Sequence, residues 1–151
     1  FSLIHLGQAC MTLLILFAIL SIGFSFLCSI LEASLLSITP SYIASLRKER
    51  PDLFVRLRKL KDDIDDPLSA ILTLNTIAHT VGATGVGAQV AVVFGEAWLG
   101  AASAAMTLAI LILSEIIPKT IGARYWRGIA PALPPRLAVK AGHSQAHLRR
   151  G

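Results

Sequence analysis

Three long apolar stretches, separated by short polar segments, dominate the hydrophobic pattern of this chain. The stretches without any Asp, Glu, Lys or Arg are residues 1–31, 67–95 and 97–114. Each can supply the roughly 20 apolar residues with which a helix crosses a hydrocarbon core about 30 Å thick. The pattern therefore predicts an all-α membrane protein with three transmembrane helices. The predicted helices are residues 8–38, 67–94 and 97–118.

A basic amphipathic segment separates the first two apolar stretches. Thr39-Pro40 ends the first helix, because the residue before a proline is pushed out of the helical conformation. In the juxtamembrane segment, residues 41–64, apolar side chains recur at helical spacing at Leu53, Leu57, Leu60 and Ile64. Basic residues lie between them, so the sequence predicts a cytoplasmic amphipathic juxtamembrane helix. Its apolar face is expected to lie on the inner membrane surface or, alternatively, to contact a second subunit.

The second predicted helix begins at an acidic cap and is rich in small residues. Asp66 is positioned to cap this helix, with Pro67 as its first residue. Small residues recur along the second and third helices, at Ala78, Gly82, Ala83, Gly87, Gly100, Ala101, Ala104 and Ala105. Such residues let helix backbones approach closely in lipid, so we expect helix contacts through these faces, within the subunit or in a homodimer.

The distribution of charge predicts how the helices are oriented across the membrane. All 14 Lys and Arg lie in two segments, with seven in residues 47–61 and seven in residues 119–150. Basic segments remain on the cytoplasmic side of a membrane. We therefore expect an outside N-terminus, a Glu96 loop outside and a cytoplasmic C-terminus in the plasma membrane. The net charge of +5 reflects this topology and not binding to nucleic acid.

Two acidic residues, Glu32 and Glu115, occur within the predicted helices. Ionisable residues in a membrane are costly and usually face a site or a partner. Glu32 and Asn75 each lie eight residues from the proline at the cytoplasmic end of their helix. That spacing places both about 12 Å inside this end. Glu115 precedes Lys119 by four residues, so all three helices are expected to carry polar side chains in the inner half of the bilayer.

The polar groups near these acids are mostly oxygen donors. His79 follows Asn75 by one turn on the same helix face. Pro118 has no N–H to donate to the carbonyl of Ser114, which is expected to leave that oxygen free for a ligand. Carboxylate, hydroxyl, amide and carbonyl oxygens are the ligands of a hard cation such as Mg²⁺. The candidate metal ligands are Ser29, Asn75, Glu115, Ser114, His79 and Glu32, with Pro118 and Lys119 in structural positions.

Each of these residues also has an ordinary structural role open to it. Asn75 and the nearby serines can hydrogen-bond between helices, and His79 can be a satisfied polar residue. Glu115 can pair with Lys119 at the membrane edge, and Glu32 can be protonated. All of these alternatives together would leave two acidic residues in the membrane without a function, so the sequence favours an ion site.

At these positions the sequence resembles the transmembrane domain of the CorB/CorC and cyclin M (CNNM) magnesium transporter family. The matching patches are SILEA at residues 29–33, LNTIAH at 74–79 and SEIIPK at 114–119. The resemblance covers residues 5–130. It implies a homodimer with three membrane helices per subunit and a cytoplasmic juxtamembrane belt. It also implies that largely dehydrated Mg²⁺ binds in an inward-facing cavity.

The resemblance further implies roles for individual residues. Ser29, Asn75 and Glu115 match the ion-contacting positions of the family, while Ser114 and Pro118 match a broken helix turn. A histidine stands at position 79, where many relatives have Asn. Relatives continue into cytosolic CBS domains, which this sequence does not contain. The expected organisation is a transmembrane domain at residues 1–130 of a truncated chain, followed by a basic, disordered tail at residues 131–151.

The predicted function is transport of Mg²⁺ or Co²⁺ across the membrane. The alternative is a non-transporting membrane module that dimerises with or regulates another channel. Transport requires Glu32 and Glu115 to face a wet cavity, whereas a scaffold requires them to be paired or protonated. No enzyme is predicted, because the sequence contains no His-Glu-x-x-His, no Gly-x-Ser-x-Gly and no nucleophile-base pair at a workable spacing.

Overall fold

The computed structural model describes residues 2–133, and these residues are almost entirely helical, without a strand among them. The helices are α1 (Ser2–Ser37), α2 (Pro40–Glu49), α3 (Pro51–Asp62), α4 (Asp65–Phe94), α5 (Leu99–Ala109) and α6 (Ile117–Ile129). Shorter helical segments are a 3-10 turn at Glu96–Trp98, a π-helix at Ile110–Ile116 and a 3-10 turn at Ala130–Ala132. Most of the predicted disordered tail, from residue 134 onward, lies outside the described residues.

Three helical runs in the described range are long and apolar enough to cross a membrane. They are Ser2–Ser37, Asp65–Phe94 and Glu96–Ala132. Large apolar side chains along all three, such as Leu20, Val92 and Leu108, are exposed on the single chain. Exposed apolar surface on this scale is suited to contact with lipid. The predicted all-α fold with three transmembrane helices is therefore confirmed, and the chain is a multi-pass membrane protein.

The chain divides into two compact units. The first unit contains α1 up to Ser29 together with Leu74–Pro118, and the second contains Ile30–Thr73 together with the described residues from Lys119 onward. In the first unit, Val86 and Val90 of α4 form an apolar core with Met106 of α5. This core and the hydrogen bonds below hold α1, α4 and α5 in position around the candidate site.

Within the first unit, α1 and α4 approach closely at Gly82. The Ser21 hydroxyl donates to the Ala78 carbonyl across 2.8 Å. A Cβ atom added at Gly82 would overlap the side chain of Ser21, so only glycine fits here without displacing α1. This small residue therefore serves a helix contact inside the subunit. Gly87 differs, because a Cβ added there meets nothing within 4 Å.

The juxtamembrane segment of the second unit forms two helices where the sequence predicts one. Thr39 caps α2 by accepting a hydrogen bond from the Tyr42 N–H across 3.3 Å, and Pro40 is the first residue of that helix. Pro51 then begins α3. The proline that ends α1 thus also starts α2, since proline is well suited to a first helical position.

The apolar face of α3 is covered by the subunit itself. Leu53, Leu57 and Leu60 are 7%, 1% and 0% exposed, while Ile43 and Leu46 of the neighbouring α2 are also buried. The neighbouring α2 therefore helps to cover this face within the single subunit. Contact of α3 with the membrane surface or with a second subunit stays a prediction.

Two cations of α3 hydrogen-bond the carbonyl ends of other helices in the second unit. Lys61 Nζ donates to the carbonyl of Leu35 across 3.0 Å, at the end of α1. Arg56 Nη2 donates to the carbonyls of Pro131 and Leu133 across 2.8 and 3.0 Å, at the end of the last helical run. Terminal carbonyls lack partners within a helix, and cations stabilise that end. Burial lowers the pKa of Lys61 from its ordinary value of 10.5.

We expect Arg56→Met to lower the free energy of unfolding by about 2 kcal/mol, because it leaves two partly buried carbonyls without their charged donor. Arg58→Met on the same helix is the matched control. Arg58 is exposed and pairs with Asp62 at 3.7 Å, a surface contact worth at most about 1 kcal/mol. Denaturant unfolding of both variants in detergent measures the difference. Equal losses would contradict a capping role for Arg56.

The fourth helix begins slightly earlier than the sequence predicts. The Leu68 N–H donates to the Ile64 carbonyl across 3.0 Å, and α4 starts at Asp65. Asp66 therefore lies inside the first turn instead of capping it. A carboxylate in this turn still favours the positive end of the helix, so the acidic residues keep their stabilising role although the start differs.

Candidate functional site

Glu115 lies in the π-helix that joins α5 to α6. The Ile117 N–H donates to the carbonyl of Ile112, five residues earlier. Pro118 comes next and cannot donate a regular helical hydrogen bond to Ser114. A π turn accommodates such a local mismatch, and π turns occur frequently at functional sites. The helical run continues through Pro118 to Ala132, so this turn is widened and not broken, and the helix itself does not end at residue 118.

Four side chains of the first unit form a polar cluster, which consists of Ser25, Asn75, His79 and Glu115. Asn75 Nδ2 donates to Glu115 Oε1 across 3.1 Å, and His79 Nε2 lies 3.5 Å from the same oxygen. Ser25 Oγ donates to Asn75 Oδ1 across 2.5 Å and lies 2.5 Å from His79 Nε2. The cluster therefore joins α1, α4 and the π-helix through polar side chains.

The polar cluster is covered on one side and open on the other. Ser25 is completely buried and Asn75 is 7% exposed. The side chains of His79 and Glu115 are 27% and 23% exposed, and both line an open cleft of about 470 Å³. An ion entering this cleft would thus meet the carboxylate and the imidazole before it met the amide and the hydroxyl.

The two remaining serines of the predicted site have different surroundings. Ser114 is completely buried, and its hydroxyl donates to the Ile22 carbonyl of α1 across 3.3 Å. Ser29 is also completely buried, but its hydroxyl has no hydrogen-bond partner among the described residues. A buried hydroxyl without a partner costs about 1–3 kcal/mol. Ser29 is therefore not joined to the polar cluster by a hydrogen bond, and its oxygen is available to a ligand.

Glu32 belongs to the second unit, where it meets Lys119. Lys119 Nζ lies 3.4 Å from Glu32 Oε2, and the Glu32 side chain is 13% exposed. The sequence left open a pair between Lys119 and Glu115. In the structure Lys119 is a cationic neighbour of Glu32, and His79 is an ionisable neighbour of Glu115.

Ser25 is the member of the polar cluster that the sequence analysis missed. It lies in an apolar stretch in which Ser21, Ser25 and Ser29 recur every four residues. That spacing places all three on one face of a helix, and all three are buried. A regular row of serines in a membrane helix indicates contact with another helix. The four-residue spacing of these serines is the sequence signal for Ser25.

The polar cluster offers few charged ligands to a cation. Within the described part of the chain, no group of three or more His, Cys, Asp or Glu residues could hold a metal ion. An ion at Glu115 would therefore depend on one carboxylate and on neutral donors such as Asn75 and Ser25. Few charged ligands give weaker binding of a cation.

Comparison with known proteins relates the chain to one membrane family. The family model of the cyclin M transmembrane N-terminal domain matches residues 15–139. A UPF0053 protein of Synechocystis sp. is 34% identical over 104 residues, which cover 69% of this chain and 30% of that protein. The chain spans less than a third of the length of this relative.

Two chloroplastic DUF21 domain-containing proteins of Arabidopsis thaliana are also similar. One is 33% identical over 100 residues, which cover 66% of this chain and 15% of that protein. The other, described as putative, is 35% identical over 108 residues, which cover 72% of this chain and 16% of that protein. Both relatives are therefore several times longer than the matched region.

Proposed function

The chain belongs to the cyclin M transmembrane domain family, as its sequence patches predict, and from this premise we propose that it carries a divalent cation across the membrane. The cation is Mg²⁺ or Co²⁺, as the transported ion and not as a resident cofactor. The family is a transporter-type membrane module rather than a family of enzymes. The relatives are much longer than the region they share with this chain. That this chain transports the ion without the additional parts of those relatives is therefore also a proposal.

The observation that carries the proposal is the position of Glu115. This carboxylate lies in a π turn of an apolar helical run, beside Asn75 and His79 and along an open cleft. A carboxylate in a membrane span is costly unless it has a partner or a function. A dication that enters the cleft would meet this carboxylate directly.

We propose different roles for the predicted residues, some of which contact the ion while one does not. Glu115 supplies negative charge, Asn75 supplies an amide oxygen, and Ser29 supplies its unpartnered hydroxyl. The Ser114 carbonyl adds a further oxygen, because Pro118 does not donate to it. Glu32 does not contact the ion. Its pair with Lys119 instead controls the opening of the ion pathway.

Assembly and orientation complete the proposal. We propose a homodimer in the plasma membrane, with an inward-facing cavity, the N-terminus outside and the C-terminus in the cytoplasm. The two basic segments support this orientation. Open space at Gly87, on a helix rich in small residues, supports close approach of a second subunit.

A non-transporting membrane module is the second candidate, and one set of contacts favours it. Ser25, Asn75 and His79 already hydrogen-bond or contact one another and Glu115, while Glu32 pairs with Lys119. Acids that are paired in this way need no ion for their stability. Such a module would dimerise with or regulate another channel.

Binding and flux measurements separate the two candidates. The purified full chain is titrated calorimetrically with Mg²⁺, Co²⁺ and Ca²⁺ and then reconstituted into proteoliposomes for Mg²⁺ and Co²⁺ uptake. A transporter gives saturable binding of Mg²⁺ or Co²⁺ and a flux that saturates over the same concentrations. A folded dimer that neither binds nor conducts these ions would favour the regulatory module.

We expect Ser29→Ala to weaken Mg²⁺ binding by about tenfold without destabilising the fold, because the lost hydroxyl has no protein partner and its removal ends a desolvation cost. Ser21→Ala is the matched control on the same helix face. It should lower the free energy of unfolding by about 1 kcal/mol through loss of the bond to the Ala78 carbonyl, and leave Mg²⁺ binding unchanged. Calorimetric titration and denaturant unfolding measure both quantities. Unchanged Mg²⁺ affinity in Ser29→Ala would remove Ser29 from the ion site.

A further inference from the structure

His79 brings to the polar cluster a ligand type that differs from its other donors. Ser25, Asn75 and Glu115 all offer oxygen, which is the ligand atom that Mg²⁺ requires. A neutral imidazole nitrogen is instead suited to borderline dications such as Co²⁺, Ni²⁺ and Zn²⁺. The chemistry of this one side chain can therefore change which ion the cluster prefers.

The geometry allows His79 and Glu115 to bind one ion together. Ligand atoms about 2.1 Å from a metal lie about 3.0 Å apart at a right angle and about 3.4 Å apart at the tetrahedral angle. His79 Nε2 and Glu115 Oε1 are 3.5 Å apart, so a small adjustment would bring both to bonding distance. The two side chains also line the same cleft, which gives an ion access to both.

The neighbouring contacts place His79 Nε2 beside both Ser25 and Glu115. Ser25 Oγ lies 2.5 Å from His79 Nε2 and is itself completely buried. Ser25 also donates to Asn75 Oδ1, and Asn75 donates to Glu115. Because the single hydroxyl proton of Ser25 goes to Asn75, His79 Nε2 contacts Ser25 as a donor, and an ion bound at Nε2 would take the place of that proton.

We propose that His79 binds the ion held at Glu115 and determines selectivity, so that the site prefers a borderline transition-metal dication over Mg²⁺. This inference rests on the proposed function, because it assigns the preference of the same cation site. It goes beyond that function by naming the residue and the ligand atom that set the preference. An ion pair between His79 and Glu115, without any metal, is the competing explanation of their contact.

The test replaces the imidazole by an amide that keeps an oxygen ligand. His79→Asn and the wild-type full chain are purified in detergent, and the dissociation constants of Co²⁺ and Mg²⁺ are measured for both. His5→Asn, which alters an exposed histidine of α1, is the matched control. His143 and His147 are present in all three proteins, so any Co²⁺ bound at them cancels in the comparison.

We expect His79→Asn to weaken Co²⁺ binding by about tenfold or more and to leave Mg²⁺ binding equal or stronger, because an oxygen replaces the nitrogen ligand. The visible absorption of bound Co²⁺ should also change, since these bands respond to replacement of a nitrogen ligand by oxygen. His5→Asn should change neither affinity nor spectrum. If His79→Asn does not fold, His79→Gln provides the same exchange of ligand atom.

Each outcome separates the selectivity inference from the proposed function. An unchanged ratio of Co²⁺ to Mg²⁺ affinity, in a variant that still binds both ions, overturns the role of His79 and leaves the cation site standing. Equal weakening of both ions likewise overturns it, since that result indicates a structural contact or an ion pair. Absence of saturable binding of either ion by the wild type overturns the proposed function itself.

Discussion

Glu115→Gln is expected to weaken Mg²⁺ and Co²⁺ binding by about 100-fold, which corresponds to about 2.7 kcal/mol, and to abolish measurable flux. The substitution keeps the shape of the side chain and an oxygen that can accept the Asn75 hydrogen bond, now 3.1 Å long. It removes only the negative charge that would balance a dication in a poorly hydrated site. Calorimetric titration and proteoliposome flux, at matched content of folded protein, measure the effect.

Glu32→Gln is the matched control for loss of a carboxylate. Its carboxylate lies in the second unit at 3.4 Å from Lys119, so we expect a smaller loss of ion affinity and a larger effect on flux than on binding. Full Mg²⁺ binding by Glu115→Gln would remove Glu115 from the site. Loss of binding in Glu32→Gln alone would transfer the site to Glu32.

The membrane fold could be predicted because its signals are local in the sequence. A stretch such as residues 1–31, without a single Asp, Glu, Lys or Arg, has few stable alternatives to a membrane helix. The leucine spacing of α3 likewise identified Leu53, Leu57 and Leu60 as one face, and all three are buried. Composition and periodicity suffice for such features, because they depend on solvent and on helix geometry alone.

The partners of these faces could not be predicted from the same signals. The leucines of α3 are covered within the subunit because Pro40 starts a second juxtamembrane helix. The periodicity of apolar residues predicts that one face of a helix is buried, but it does not predict which element packs against that face. The roles of Arg56 and Lys61 were missed for a related reason. Their positive charges indicated topology, whereas their hydrogen bonds go to carbonyls distant in sequence.

The sequence indicated which residue types form the candidate site, but it indicated less about which of them contact one another. Asn75, His79 and Glu115 were singled out because polar groups in apolar helices are costly, and the structure brings them together. Ser25, their fourth partner, was missed although it belongs to a regular row of serines. The π turn at Glu115 depends on how the chain accommodates Pro118, and the sequence indicated only that regular helix bonding would fail there.

Gly82→Leu is expected to lower the free energy of unfolding by about 3 kcal/mol, because the added side chain must displace Ser21 and break its bond to the Ala78 carbonyl. The Ser21 side chain already occupies the space that a Cβ at Gly82 would need. Gly87→Leu is the matched control on the same helix, since a Cβ there meets nothing within 4 Å. It should leave unfolding unchanged or improve it, because leucine favours helices over glycine.

The same two variants distinguish packing inside the subunit from packing between subunits. If the proposed homodimer uses the small-residue face at Gly87, then Gly87→Leu lowers the dimer fraction, measured by mass in detergent, while the subunit remains folded. Gly82→Leu lowers the dimer fraction only as far as it unfolds the subunit. Dimer mass that is unaffected by Gly87→Leu would show that this face is not the interface. Unchanged stability of Gly82→Leu would contradict the close approach of α1 and α4.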